Sequence, residues 1–297
     1  MRICIFLFLL SYLGCSCDSL NEVLTATNTR LYFLMGTQAS RIRYVNTFIK
    51  DMAFDRNYIQ FVQCVRKEKL NRIELYNLKV QNFITDQWIE RYITGVDDPM
   101  SKDKNLGKLA LMLTLQNAMK MFLKSPYTNM LVFEDDVMIN TAEFNKSTAQ
   151  QELSKMIALP QTQWDIQYLG FCFECGNATG YTPPPLVDNR YTQAVFPLCK
   201  HALLMSRSMV ELFVKAHTPV TNNKGDWVFH EVACRHHLNV LRTRVPLFLQ
   251  RGSEKMESSL GNHNDKRPFA QWVSCEQEEK KCMKMGNQYS KHKAIAS

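Results

Sequence analysis

The chain has 297 residues, 45% of them hydrophobic and 22% charged, with a formal net charge of +8. This balance is globular and excludes disordered, collagen-like and coiled-coil classes; the length suits one large domain or two small ones. The basic residues are scattered, with their densest group in the Lys280–Lys293 tail, and neither zinc-finger spacing nor an aromatic-basic stretch marks a nucleic-acid binder.

Met1 to Cys17 pairs a positive start at Arg2 with an apolar run, Ile3 to Leu13, and small residues at Gly14-Cys15-Ser16-Cys17. It is too short for an ordinary span and reads as a secretory signal peptide, with an uncleaved anchor as the alternative. No second long apolar run follows, so no further membrane span is expected. Past it stand Cys64, Cys172, Cys175, Cys199, Cys234, Cys275 and Cys282. In an oxidising lumen some of these pair and one is left over; Cys172-x-x-Cys175 lacks the second pair that a zinc site needs. The sequons at Asn145 and Asn177 agree with a lumenal protein.

Asn21 to Thr29 reads as a polar lead-in, and Arg30 to Met35 as a first strand ended by Gly36. Ile42, Val45, Phe48 and Ile49 have helical spacing. A strand, a glycine turn and a helix carrying Arg41 form one way to approach a nucleotide, although an ordinary βα turn with a solvated arginine has the same pattern. Tyr58 to Val62 is a second strand, Arg72 to Leu78 a helix or connector, and Val96 to Asn105 a polar loop. Gly107 to Leu123 is an amphipathic helix by the spacing of Leu109, Met112, Leu113, Gln116, Met119 and Leu123. Lys108 falls in its first turn, unfavourable for the helix dipole unless a phosphate sits nearby.

Leu131-Val-Phe-Glu134-Asp135-Asp136-Val137 comes next. A short apolar run suits a buried strand, and three adjacent carboxylates at its end raise one another's pKa. A hard cation such as Mg²⁺ or Mn²⁺ relieves that cost, taking oxygen ligands and bridging carboxylates to phosphates. The pattern points to a metal–phosphate site at the carboxyl end of a sheet strand, where open α/β sheets place their ligands; an acidic surface turn is the other reading.

A helix is expected from Phe144 to Leu159, with Asn145 on its solvent face, and a strand over Trp164 to Gly170. Gly180 to Arg190 reads as a loop and Ala194 to Met205 as a strand turning Cys199 and His201 inward. Ser206 caps a helix to Ala216. Gly225-Asp226 opens another, placing Asp226 either as a cap or as a general base at the mouth of a cleft. Leu238 to Arg244 and Val245 to Gln250 are late strands, and the chain from Gly252 is polar. Strands alternating with helices give an α/β sandwich.

The order of these segments resembles glycosyltransferase family 25, which holds lipooligosaccharide and procollagen galactosyltransferases. The likeness rests on the Leu131–Val137 strand, on Trp164-Asp165-Ile166 through Leu169-Gly170, on Pro197 to Ala202 with Ser206, and on Gly225-Asp226; it spans roughly residues 30–262. One departure is Leu115, where the family has a histidine. The resemblance implies a GT-A-like nucleotide-sugar-binding α/β sandwich with a mixed, mostly parallel central sheet over residues 24–270, between a signal segment at 1–17 and a charged tail at 271–297. It implies an inverting transfer of a hexose, galactose above all, from a UDP-sugar to a hydroxyl of a protein or glycan acceptor in the endoplasmic reticulum or Golgi lumen or after secretion, with Mn²⁺ or Mg²⁺. Asp136 is then the first metal ligand, joined by Asp135 and by His263. Glu134 and Asp135 hold the ribose and the metal's waters, and Arg41 and Lys108 serve the nucleotide. Asp226 is the base, with Glu231 in reserve. The alternative is a lumenal binding or scaffold protein that keeps the fold without turnover.

Overall fold

The computed structural model describes residues 19–94, 99–171, 173–174, 191–193, 197–220 and 225–251. The first element, α1 (Leu20–Ala26), lies where a lead-in was expected. Ser19 and Glu22 form a capping box, and Leu20 and Leu24 are buried, so the packed part of the chain starts ahead of residue 24. Then come β1 (Thr29–Met35), α2 (Ala39–Asp51), β2 (Ile59–Gln63), α3 (Arg72–Val80), α4 (Asp86–Thr94) and α5 (Pro99–Leu123). They are followed by β3 (Asn129–Glu134), β4 (Val137–Ile139), α6 (Lys146–Ile157), β5 (Ile166–Gly170), β6 (Phe173–Glu174), β7 (Tyr191–Gln193) and β8 (Pro197–Leu198). β9 (Ala202–Ser206), α7 (Arg207–Ala216), α8 (Gly225–His236), β10 (Val240–Thr243) and β11 (Phe248–Gln250) complete the set.

The nine-stranded sheet runs β2-β1-β3-β9-β5-β10-β7, and β11 joins β5 to β4. From the pairings, β1, β2, β3, β5, β10 and β11 point one way and β4, β7 and β9 the other. The sheet is mixed and mostly parallel, in a fold compatible with a GT-A-like α/β sandwich. Alternation along each strand divides the core. Tyr32, Leu34, Met130, Val132, Leu203 and Met205 face a cluster under α3, α4, α5, α7 and α8. Leu31, Phe33, Leu131, Phe133 and Leu204 face a second cluster under α1, α2 and α6.

Three expectations change. The long helix starts at Pro99, not Gly107, because proline suits a first helical position where no backbone N–H is needed. Asn145 is the N-cap of α6, its side chain accepting from the Thr148 N–H at 2.9 Å, rather than a residue on the helix face. The segment read as one strand from Ala194 is broken after Leu198: Cys199 takes φ 67°, and β9 begins only at Ala202. α4, β4 and β7 are unexpected, and the loop read over Val96 to Asn105 is helical from Pro99; β1, β2, β3, β5, α2 and α7, with Ser206 as its cap, fall as expected. The signal segment, the Gly180–Arg190 loop and the basic tail lie outside the described residues.

Candidate functional site

The parallel strands β2, β1 and β3 end on one side of the sheet, and a cleft of about 410 Å³ opens there. Its walls are the turn after β1 with Gly36, Thr37, Gln38 and Arg41, the turn after β2 from Cys64 to Glu68, the Gly107, Ala110 and Thr114 side of α5, and Glu134, Asp135, Asp136 and Gln250. The acidic run therefore sits where the sequence places it, at the carboxyl end of a buried strand.

The three acids have different surroundings. Asp135 is buried and bound on both oxygens: Oδ2 accepts from the Gly36 N–H at 2.7 Å, and Oδ1 is paired with Arg41. A Cβ on Gly36 would stand 2.7 Å from Asp135 Oδ2, so only glycine allows this approach. Asp135 thus acts as a clamp between the β1 and β3 turns, a role the sequence did not assign to it. Burial works against the charge of Arg41, but Asp135 and Asp136 outweigh it and raise its pKa. The guanidinium keeps further N–H donors beyond the one given to Asp135.

Asp136 is the group under most stress. Its Oδ2 accepts from Gln250 Nε2 at 3.2 Å, while Oδ1 is buried with no hydrogen-bond partner. Burial, then the charge of Asp135, raises its pKa, against the opposing effects of Arg41 and Gln250. Glu134 is half-buried beside it, 3.5 Å from the same Gln250 nitrogen. The orphaned oxygen and the two neighbouring carboxylates fit a hard cation, since magnesium-type sites use one or two carboxylates and complete the shell with water and phosphate. No group of three or more His, Cys, Asp or Glu capable of holding a metal occurs among the described residues.

Other expected residues stand apart. Lys108 is exposed, in the third turn of α5 rather than the first, because the helix begins eight residues earlier than expected, and it is not part of the cleft wall. Glu231 is not part of the wall either; its carboxylate pairs with Arg235 one turn along α8. Asp226 is the second residue of α8, its side chain outside the described ones, and His263 lies outside them altogether. Leu115 is buried in the core, whereas its neighbour Thr114 faces the cleft, bonding the Val65 N–H at 2.9 Å and the Ala110 carbonyl at 2.7 Å. His201 is indeed turned inward: Nε2 donates to the Phe248 carbonyl at 3.1 Å, a structural tie between β9 and β11.

The sequence reading missed the turn Cys64-Val-Arg-Lys-Glu68, Thr114 as a cleft residue, and Gln250. Arg66 and Lys67 put positive charge on the wall, and their signal was available in a basic turn directly after a parallel strand. Cys64 is the free cysteine among the described residues; Cys199 and Cys234 are disulfide-bonded. Burial, then Asp135 and Glu134, pushes the Cys64 thiol up to about 12, so it stays protonated.

Compared with known families and curated proteins, the chain matches no protein-family model and no curated protein. The fold and the cleft define a class: an α/β protein with a mixed sheet and an acid-floored, partly basic cleft at the ends of its parallel strands. No described helix is long and apolar enough to cross a membrane.

Proposed function

We propose that the chain is a metal-dependent inverting glycosyltransferase that moves a hexose, galactose in the first instance, from a UDP-sugar to a hydroxyl acceptor on a protein or glycan in the secretory pathway. The observation that carries this reading is the juxtaposition in one cleft of Glu134 and Asp136, whose floor calls for a cation, with Arg41, Arg66 and Lys67, whose charge suits phosphate. The resemblance of the motif order to glycosyltransferase family 25 supports it.

In this reading Glu134 and Asp136 hold Mn²⁺ or Mg²⁺. When bound, the cation supplies Lewis-acid neutralisation of charge on the departing diphosphate. Arg41, fixed by Asp135, offers its remaining donors to the same anion. Thr114 holds the Cys64–Glu68 turn against α5, so the basic wall keeps its place. Asp226, at the start of α8, takes the proton of the acceptor hydroxyl as that oxygen attacks the anomeric carbon from the face opposite the leaving group. The second reading, a binding protein without turnover, draws on Leu115: the position presents no titratable group and lies in the core.

The test is UDP-sugar turnover and UDP binding, each with and without Mn²⁺. Expected are chelator-sensitive hydrolysis or transfer and a Mn²⁺-dependent rise in Tm with UDP, corresponding to about 2.7 kcal/mol of added stability at a hundred times Kd. Asp226→Asn is expected to cut turnover by about 10² or more while UDP binding persists. UDP binding without turnover on any of a panel of UDP-sugars and acceptors selects the second reading; indifference to Mn²⁺, with Asp136→Asn fully active, rejects the first.

A further inference from the structure

β11 closes over the acidic turn. It pairs antiparallel with β4 so that Gln250 stands opposite Val137, the residue following the acids, and the Arg251 N–H donates to the Asp136 carbonyl at 2.8 Å. With both backbones fixed, the Gln250 side chain reaches between two carboxylates. Its Nε2 lies 3.2 Å from Asp136 Oδ2 and 3.5 Å from Glu134 Oε2. One amide nitrogen therefore lies against both anions, beside the place a cation between them would take.

A carboxamide has two chemical faces. Half a turn about its last torsion exchanges the NH₂ for the carbonyl oxygen at nearly the same position. Facing two bare carboxylates, the N–H donors are the favourable side. With a dication between the acids the N–H side is repelled and the oxygen attracted, and amide oxygens are ordinary ligands of hard divalent cations. Asp135 is unsuited to a third place in the shell, because Arg41 and the Gly36 N–H hold its oxygens.

We propose that Gln250 is the third protein ligand of a divalent-cation site built on Glu134 and Asp136, its carbonyl oxygen swung in by that half-turn. The inference rests on the cation-dependent reading above and names the ligand set for it. Two carboxylates and one neutral oxygen leave the bound dication without surplus protein charge of either sign. Anionic diphosphate then adds to the same shell instead of competing with a third acid, so cation and nucleotide each raise the other's affinity.

The experiment is Mn²⁺ binding to the full chain, read as loss of the free-ion electron paramagnetic resonance signal, for Mn²⁺ alone and with UDP. Asp136→Asn is expected to weaken binding strongly. Gln250→Leu is expected to weaken it about tenfold or more with the circular dichroism spectrum unchanged. Gln250→Glu is expected to tighten Mn²⁺ alone and to shrink the gain from UDP. If Asp136→Asn loses Mn²⁺ but Gln250→Leu binds it like the parent, Gln250 is no ligand and the proposal falls while the cation reading stands. If parent and Asp136→Asn bind equally or not at all, the cation reading falls and takes the proposal with it. Should Gln250→Leu fail to fold, Gln250→Glu decides: an unchanged affinity for Mn²⁺ overturns the proposal.

Discussion

Asp136 carries two opposed demands. The proposed cation would draw on its charge, and the fold is strained by it, since burial and Asp135 both raise its pKa above the ordinary 3.8. A raised value means that the native state holds the proton more tightly than the unfolded chain. The associated stability is present below pH 3.8 and is lost as pH rises through the raised value. Asp136→Asn should therefore raise the Tm of the metal-free protein at neutral pH and leave it nearly unchanged in acid, while abolishing the response to Mn²⁺; thermal melts across pH check both. Gly36→Ala should do the reverse, lowering Tm, because the new Cβ meets Asp135 Oδ2 at 2.7 Å and pushes apart the clamp with Arg41. Cys64, with its thiol pushed up to about 12, should alkylate slowly in the native protein at mildly basic pH and rapidly once denatured, as mass spectrometry of iodoacetamide-treated samples would show.

At the scale of elements, α5 and the turn after β2 act as one piece. Thr114→Val keeps the shape of the side chain but leaves the Val65 N–H without its 2.9 Å partner. The expected cost is about 1–3 kcal/mol in chemical denaturation, and, on the proposed function, weaker UDP binding as the Cys64–Glu68 wall loosens. This helix also shows what the amino-acid order reveals and what it hides. The spacing of Leu109, Met112, Leu113 and Met119 displays its buried face, and the apolar run into Glu134-Asp135-Asp136 displays the strand that aims the acids. The polar residues after Pro99 hid the first two turns, because periodicity is silent where neither face is apolar, and Lys108 was misplaced along with them. Which acid is clamped was equally hidden. Glu134, Asp135 and Asp136 look alike in a row; only the approach of Gly36 and Arg41 from β1, about a hundred residues earlier by the numbering, separates their roles. Gln250 was legible as the end of a strand and illegible as a cleft residue, since its place depends on pairing with Val137.

For the molecule as a whole, acid should be the weak direction. His217 is buried at the end of α7, and burial, then Lys200, lowers its pKa to about 4; burial alone does the same for His230. Both are neutral in the native state, so the stability they contribute is complete above the ordinary 6.5 and is lost as pH falls from there toward about 4. His217→Gln should flatten the acid limb of the Tm–pH curve by one of the two shares. The sheet order has its own consequence for biosynthesis. β3, which presents the acids, is covered on one side by β1 but on the other by β9, made from Ala202–Ser206. While the ribosome is still short of that segment, Met130-Leu-Val-Phe133 offers a bare apolar edge with unsatisfied backbone groups to any passing strand. Nascent chains stalled in that interval should be chaperone clients and prone to aggregate, and they should hold no cation, whatever the finished protein does.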